Sequence, residues 1–227
     1  MKNNYWSEYW KEKSFSSKNL QAHIGRTVSG TSINDELWKR TVLFIYHQLC
    51  IDDKSNILDL CCGNGMLSVP LSYKCNKLVG VDISQALLNE LLEREICNIT
   101  TICADINEFN TEEKYTHVIL YFSLQYFNES QVIEIFQKVF TFLEEGAVFY
   151  IGDIPDRTKL WNFANTKEYE KAYFDSIREE SPKIGNWFLK QDLLKLANYI
   201  GYKRASIVEQ PSWMYNSHYR FDMILYK

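Results

Sequence analysis

The chain has no excess of positive charge, no long hydrophobic run and no paired-cysteine motif, and each absence removes a class of function. Its 25 Lys and Arg are outnumbered by 29 Asp and Glu, giving a net charge of −4. Binding of RNA or DNA normally needs a basic face, so no nucleic-acid partner is expected. The longest apolar stretches, such as "VLFIY" at 42–46, fall far short of the ~20 residues of a membrane span, so no membrane partner is expected either. The opening "MKNNYWSEYWKEK" carries charges with no apolar run behind them, unlike a secretory signal. The six cysteines (50, 61, 62, 75, 97 and 103) show no CxxC spacing with histidines nearby. Together these features predict a soluble protein of a reducing cytoplasm.

What is present is ample apolar material for one core. At 227 residues, with 46% apolar and 24% charged residues, the chain fits a single sizeable domain better than two. The aromatic share of 15% is generous, and the rings gather near the N-terminus and between Trp161 and Trp213. That clustering predicts that some of them line a pocket or a lid.

From residue 55 the hydrophobic period alternates between strand and helix. "SNILDL", "KLVGVDI", "ITTICAD", "THVILYF" and "AVFYIGD" read as five apolar strands. Between them fall "MLSVPLSY", with Pro70 in its first turns, a helix capped by Ser84, and one capped by Asn128. The last carries the stripe Val132, Ile135, Phe136, Val139, Phe140 and Leu143. Strands that are apolar almost throughout, alternating with helices, predict a doubly wound α/β sheet covered on both faces. After the helix "KQDLLKLANYI", the runs "YKRASIVEQ" and "YRFDMILYK" have no helix between them and should pair antiparallel. The division expected is an N-terminal lid and helices (1–50), a core (54–153), an insertion that caps substrate, dimerises or simply packs (154–189), and a terminal helix and hairpin (190–227).

In such a sheet, ligands bind beyond the carboxyl ends of the strands. The loop placed there is "DLCCGNG", where Gly63 and Gly65 let backbone approach a ligand closely. The adjacent Cys61 and Cys62 invite a thiol reading. A metal site would need further ligands, and vicinal cysteines make a strained disulfide, so they read as small residues in a cofactor loop. Asp82 ends the second strand, where an acid accepts from ribose hydroxyls. Asp105 follows the third strand and either accepts from an adenine amino group or caps the turn after it. The dinucleotide fingerprint would need a third glycine where Ser68 stands. Asp59, beside the loop, would repel a pyrophosphate and suits the sulfonium and ammonium of S-adenosylmethionine instead.

The order Asp59-x-x-x-Gly63-x-Gly65, then Asp82, then Asp105, with a terminal hairpin, resembles the class I S-adenosylmethionine-dependent methyltransferases, small-molecule type. The resemblance covers residues 54–153 by motif and 190–227 by topology. It implies a Rossmann-like sheet of seven mostly parallel strands with the last antiparallel. It also implies a cofactor cradle of Asp59, Cys61, Gly63, Gly65, Asp82, Ile83, Asp105, Ile106 and Tyr121, with S-adenosylhomocysteine as the product. "HIGRT" looks like the family's lid segment, in which Arg26 pairs with the cofactor carboxylate or is a solvated surface residue. This chain departs from the pattern at Cys61 for the first loop glycine, at Thr116 for an Asp, and at Tyr126 where many members carry His.

The resemblance implies methyl transfer to a small-molecule acceptor, oxygen favoured over nitrogen, by an enzyme that holds donor and acceptor in line. Tyr126 lies beside the expected site. His218, in the hairpin loop, is a candidate base on a substrate hydroxyl, or an exposed loop histidine. A homodimer is allowed. The rival readings are methylation of RNA or protein, an NAD-linked oxidoreductase, and a non-catalytic partner subunit.

Overall fold

The computed structural model describes residues 5–13, 19–25, 27–28, 31–179 and 185–227. Helices α1 (Tyr5–Glu12) and α2 (Leu20–His23) and the short antiparallel pair β1 (Thr27–Val28) and β2 (Thr31–Ser32) precede α3 (Asp35–Leu49). Then come β3 (Asn56–Leu60), α4 (Ser68–Ser72), β4 (Lys77–Asp82), α5 (Gln85–Leu92), β5 (Ile99–Cys103), β6 (Tyr115–Tyr121), α6 (Glu129–Phe142) and β7 (Leu143–Pro155). The chain continues through α7 (Leu160–Phe163), α8 (Lys167–Arg178), α9 (Lys190–Ile200), β8 (Arg204–Glu209) and β9 (Arg220–Tyr226). Among the described residues no helix is long and apolar enough to cross a membrane.

Seven strands form one sheet in the order β5-β4-β3-β6-β7-β9-β8. The pairs from β5 to β7 are parallel, and β9 runs antiparallel to both of its neighbours. The expected sheet, with its reversed final strand, is therefore the one observed. The chain leaves β3 outward to β4 and β5, then returns to β6 on the other side of β3. This reversal opens a crevice at the carboxyl ends of β3 and β6.

Alternation along the central strands sorts the core. Leu58, Leu60, Val118, Leu120, Phe149 and Ile151 belong to one cluster with the buried stripe of α6 and with Leu193 and Ala197 of α9. Ile57, Ile119 and Tyr150 belong to a second, with Trp38, Val42, Ile45 and Leu49 of α3 and Leu71 of α4. Those four α3 residues recur at helical spacing, so one stripe covers the sheet. The Asn34 side chain caps α3 by accepting from the Glu36 amide at 2.7 Å.

Three sequence expectations shift in detail. Helix α4 starts at Ser68 rather than Met66, with Pro70 as its third residue, where the missing N–H costs nothing. Strand β7 is longer than "AVFYIGD" because it outreaches β6 to pair with β9 as far as Pro155. Leu143, expected in the α6 stripe, is already the first residue of that strand.

Candidate cofactor and acceptor site

The cradle begins where β3 stops. Cys61 turns into the left-handed region at φ +57°, and Gly63 and Gly65 follow at φ +56° and +74°. A side chain at Gly65 would place its Cβ 2.4 Å from Leu91 Cδ1, so the loop lies directly on α5. The Cys62 amide donates to the Val81 carbonyl at 3.1 Å, which ties the loop to β4.

Asp82, the last residue of β4, locks that loop. Its Oδ2 accepts from the Gly63 amide at 2.7 Å, and its Oδ1 accepts from the Ser84 amide at 2.8 Å. Burial raises the Asp82 pKa, and the backbone donors pull it back down. Asp59, also buried, accepts from the Ser68 hydroxyl at 2.5 Å. Asp105 caps the turn after β5, one of its two sequence readings. Its Oδ1 accepts from the Asn107 amide at 2.9 Å, as a turn cap does, while its Oδ2 accepts from the Ser7 hydroxyl of α1 at 3.1 Å.

These groups face a cavity of about 350 Å³ whose wall includes Asp59, Cys61, Gly63, Asp82, Ile83, Asp105, Ile106 and Tyr121. Gly65 lies one turn behind the wall, against Leu91. Arg26 lies outside the described residues. The thiol question resolves on electrostatics. Burial and the neighbouring Asp82 and Asp59 carboxylates push the Cys61 and Cys62 pKa values well above the ordinary thiol range, so both remain protonated. Among the described residues no three His, Cys, Asp or Glu side chains gather as a metal ion would require.

The opposite wall is aromatic. Tyr126, in the turn after β6, has its ring centre 4.6 Å from that of Trp6 and 5.7 Å from that of Trp10, both on α1. Burial pushes the Tyr126 phenol up to about 12, so it stays protonated near neutral pH. Phe122, Phe127 and Asn186 complete this side. The Asn186 amide donates to the Gln125 carbonyl at 2.8 Å, which brings the end of the insertion to the cavity.

His218 is not on this wall. It is exposed, its ring packs edge-on against Tyr219 at 4.7 Å, and its carbonyl accepts from Asn162. The hairpin loop turns other residues inward. Trp213 packs on Phe44 of α3, and Asn216 donates to the Asp153 carboxylate at 3.2 Å. Of the insertion aromatics, Trp161, Phe163, Tyr169, Tyr173 and Phe174 all lie off the cavity wall.

The expectation that N-terminal rings line a pocket holds for Tyr5, Trp6 and Trp10, though not residue by residue, while Ser7, Trp38 and Asn186 gave no sign of being wall residues. The i, i+4 spacing of Trp6 and Trp10 put both on one face of a helix, which was the available signal.

Comparison with known proteins agrees with this geometry. The family model described as a methyltransferase domain matches residues 57–146. The chain is 25% identical over 158 residues to (S)-tetrahydroprotoberberine N-methyltransferase of Eschscholzia californica, covering 63% of this chain and 45% of that protein. It is 28% identical over 117 residues to malonyl-acyl-carrier protein O-methyltransferase of Acetivibrio thermocellus, covering 49% and 41%. The chain thus spans less than half the length of these curated relatives. Among solved structures, an S-adenosylmethionine-dependent methyltransferase from Clostridium acetobutylicum superposes with a TM-score of 0.65 at 15% identity, covering 90% of this chain and 96% of that one.

Proposed function

We propose, from the premise that this chain belongs to the class I S-adenosylmethionine-dependent methyltransferases, that it transfers a methyl group to a small-molecule acceptor. One observation carries the reading. The Asp82 carboxylate binds the backbone of the glycine loop at 2.7 Å while Asp59 and Asp105 flank it on the same cavity wall. Three acids at the lip of adjacent strands suit a ligand with a cationic end, ribose hydroxyls and an amino-bearing base. They oppose a pyrophosphate.

The residue roles follow from that placement. Asp82 keeps acceptor capacity for ribose hydroxyls beyond its two backbone donors, since each carboxylate oxygen has two lone pairs. Ile83 and Ile106 would flank the base, Asp105 would accept from its amino group, and Asp59 would face the ammonium end; all four line the cavity. A side chain at Gly63 would meet Ile24 Cγ2 at 2.9 Å, so glycine lets the loop lie against this neighbour on the cavity wall. The cofactor supplies a methyl group on a positively charged sulfur. Helix α1 covers the cavity through Trp6, Ser7 and Trp10, excluding water and competing nucleophiles.

A small acceptor fits an enclosed cavity of this size better than a macromolecular one. The two curated relatives named above are, by name, one N- and one O-methyltransferase. His218, the candidate base for an oxygen acceptor, is exposed and off the cavity wall, so it does not support the expected preference for oxygen.

Calorimetry with S-adenosylmethionine, S-adenosylhomocysteine and NAD tests the proposal. The two adenosyl ligands should bind and NAD should not. Asp82→Asn, which keeps size but removes charge, should weaken both by about tenfold or more, as loss of a charged hydrogen-bond acceptor does. Binding of NAD alone would replace this reading with an oxidoreductase.

A further inference from the structure

We propose that the acceptor is an amine, bound unprotonated, and that the positive charge its nitrogen takes on with the methyl group is stabilised among the rings of Trp6, Trp10 and Tyr126. This deepens the methyltransferase reading and rests on it. Charge is the first argument. Among the described residues of the cavity wall stand three aspartates and no Lys, Arg or His. An anionic acceptor would meet like charge at these aspartates, whereas the positive charge that passes to nitrogen is favoured there.

The rings are the second argument. Trp6 and Tyr126 meet at 4.6 Å with planes tilted by 46°, and Trp10 approaches the same tyrosine at 5.7 Å. Indole faces are the strongest aromatic partners for an ammonium. One ring of the cluster already holds a cation within the chain, since the Lys13 ammonium sits 4.3 Å from the centre of Trp10.

The third argument concerns protons. A hydroxyl acceptor must surrender its proton to a base. His218 is exposed and off the wall, and the Tyr126 phenol is itself protonated. The wall carboxylates would be taken up by the cofactor, Asp82 by its ribose, Asp105 by its base and Asp59 by its ammonium end, in addition to the Ser68, Gly63, Ser84, Ser7 and Asn107 bonds they already accept. An unprotonated amine needs no such help. Its lone pair forms the new N–C bond as the C–S bond of S-adenosylmethionine breaks, and that electron pair leaves with sulfur as a neutral thioether. The positive charge moves from sulfur to nitrogen within the same cavity. A tertiary amine ends there as a quaternary ammonium, and a secondary or primary one then releases a proton to water.

Choline and 3,3-dimethylbutan-1-ol test the inference, because they share a shape and differ in whether the branched centre is N⁺ or carbon. Titrations are run on the free protein and on protein saturated with S-adenosylhomocysteine, followed by calorimetry and tryptophan fluorescence. Choline should bind about tenfold more tightly than the alcohol, the ratio that one to two cation–ring contacts give. Trp6→Leu and Tyr126→Leu should each shrink that ratio severalfold in protein that still binds S-adenosylhomocysteine, which shows the variants are folded. Equal affinities, or no measurable binding of choline, overturn the amine inference and leave the methyltransferase reading intact if S-adenosylhomocysteine binds. Failure of S-adenosylhomocysteine to bind overturns that reading and the inference with it.

Discussion

Asp222 should make the fold less stable as pH rises, and Asp222→Asn should remove that dependence. The carboxylate is fully buried in β9. It accepts from the Tyr150 hydroxyl at 2.7 Å, the Asp153 amide at 2.8 Å and Gln210 Nε2 at 2.7 Å. Burial outweighs these donors and raises its pKa from 3.8 to about 6. The folded chain therefore holds this proton more tightly than the unfolded chain does. Its contribution is favourable below about pH 4 and is lost as pH climbs through about 6. At ~1.4 kcal/mol per pH unit, a gap of about two units amounts to about 3 kcal/mol. The asparagine keeps a carbonyl for the Asp153 amide and Gln210, which both reach Oδ1, and it cannot ionise. Urea unfolding of both proteins from pH 4 to 7.5 isolates the effect, because the distant carboxylates titrate equally in each. On raising the pH, the variant should gain about 3 kcal/mol relative to wild type. A difference that stays flat across that range would refute the reasoning.

Two further outcomes follow from the cradle. Gly65→Ala must adopt φ +74° and push its Cβ against the buried Leu91, so it should lose about 2–4 kcal/mol in chemical denaturation. Wild-type stability would mean the loop does not lie on α5. Alkylation of the native protein followed by peptide mapping should label the exposed Cys50, Cys97 and Cys103 and spare Cys61, Cys62 and Cys75, the last raised to about 11 by burial. Rapid native labelling of the Cys61-Cys62 pair would restore a thiol chemistry to that loop.

Which features were legible in the chain depends on how local their causes are. The central strands announced themselves because burial on both faces demands unbroken apolar runs such as "NILDL". Asp59 and Asp82 stood out because an acid ending such a run has few structural reasons to be there. Helix caps at Asn34, Ser84 and Asn128 are set by residues within one turn, and each is observed. The aromatic wall was hidden because Trp6 and Tyr126 meet only through the placement of α1 over the sheet edge. No local pattern encodes a contact across 120 positions. His218 was misjudged for a related reason. Topology correctly returned the loop at 211–218 to that edge, but which of its side chains turn inward is decided by the pairing of Trp213 with α3 and Asn216 with Asp153.

The backbone itself shows where the fold concentrates its effort. Cys61, Phe122 and Asp153 have φ of +57°, +61° and +60°, at or near the carboxyl ends of the adjacent strands β3, β6 and β7. Each costs about 1–2 kcal/mol for a residue with a Cβ, so the surroundings must hold it there. The Phe122 amide donates to the Gly152 carbonyl at 3.0 Å, and the Arg220 guanidinium lies 4.7 Å from its ring centre. Asp153 is held by its amide on Asp222 and by its carboxylate, which accepts from Gln210 and Asn216. Arg220 joins the two, donating to the Asp153 carbonyl and to Gln125 in the turn that carries Tyr126. A buried arginine is costly unless engaged; here the Nη1 bonds link the exits of β6 and β7, while Nε is buried without a hydrogen-bond partner. The terminal hairpin therefore does more than complete the sheet: through Arg220 and Asp222 it ties down the exits of β6 and β7, from which the aromatic wall departs.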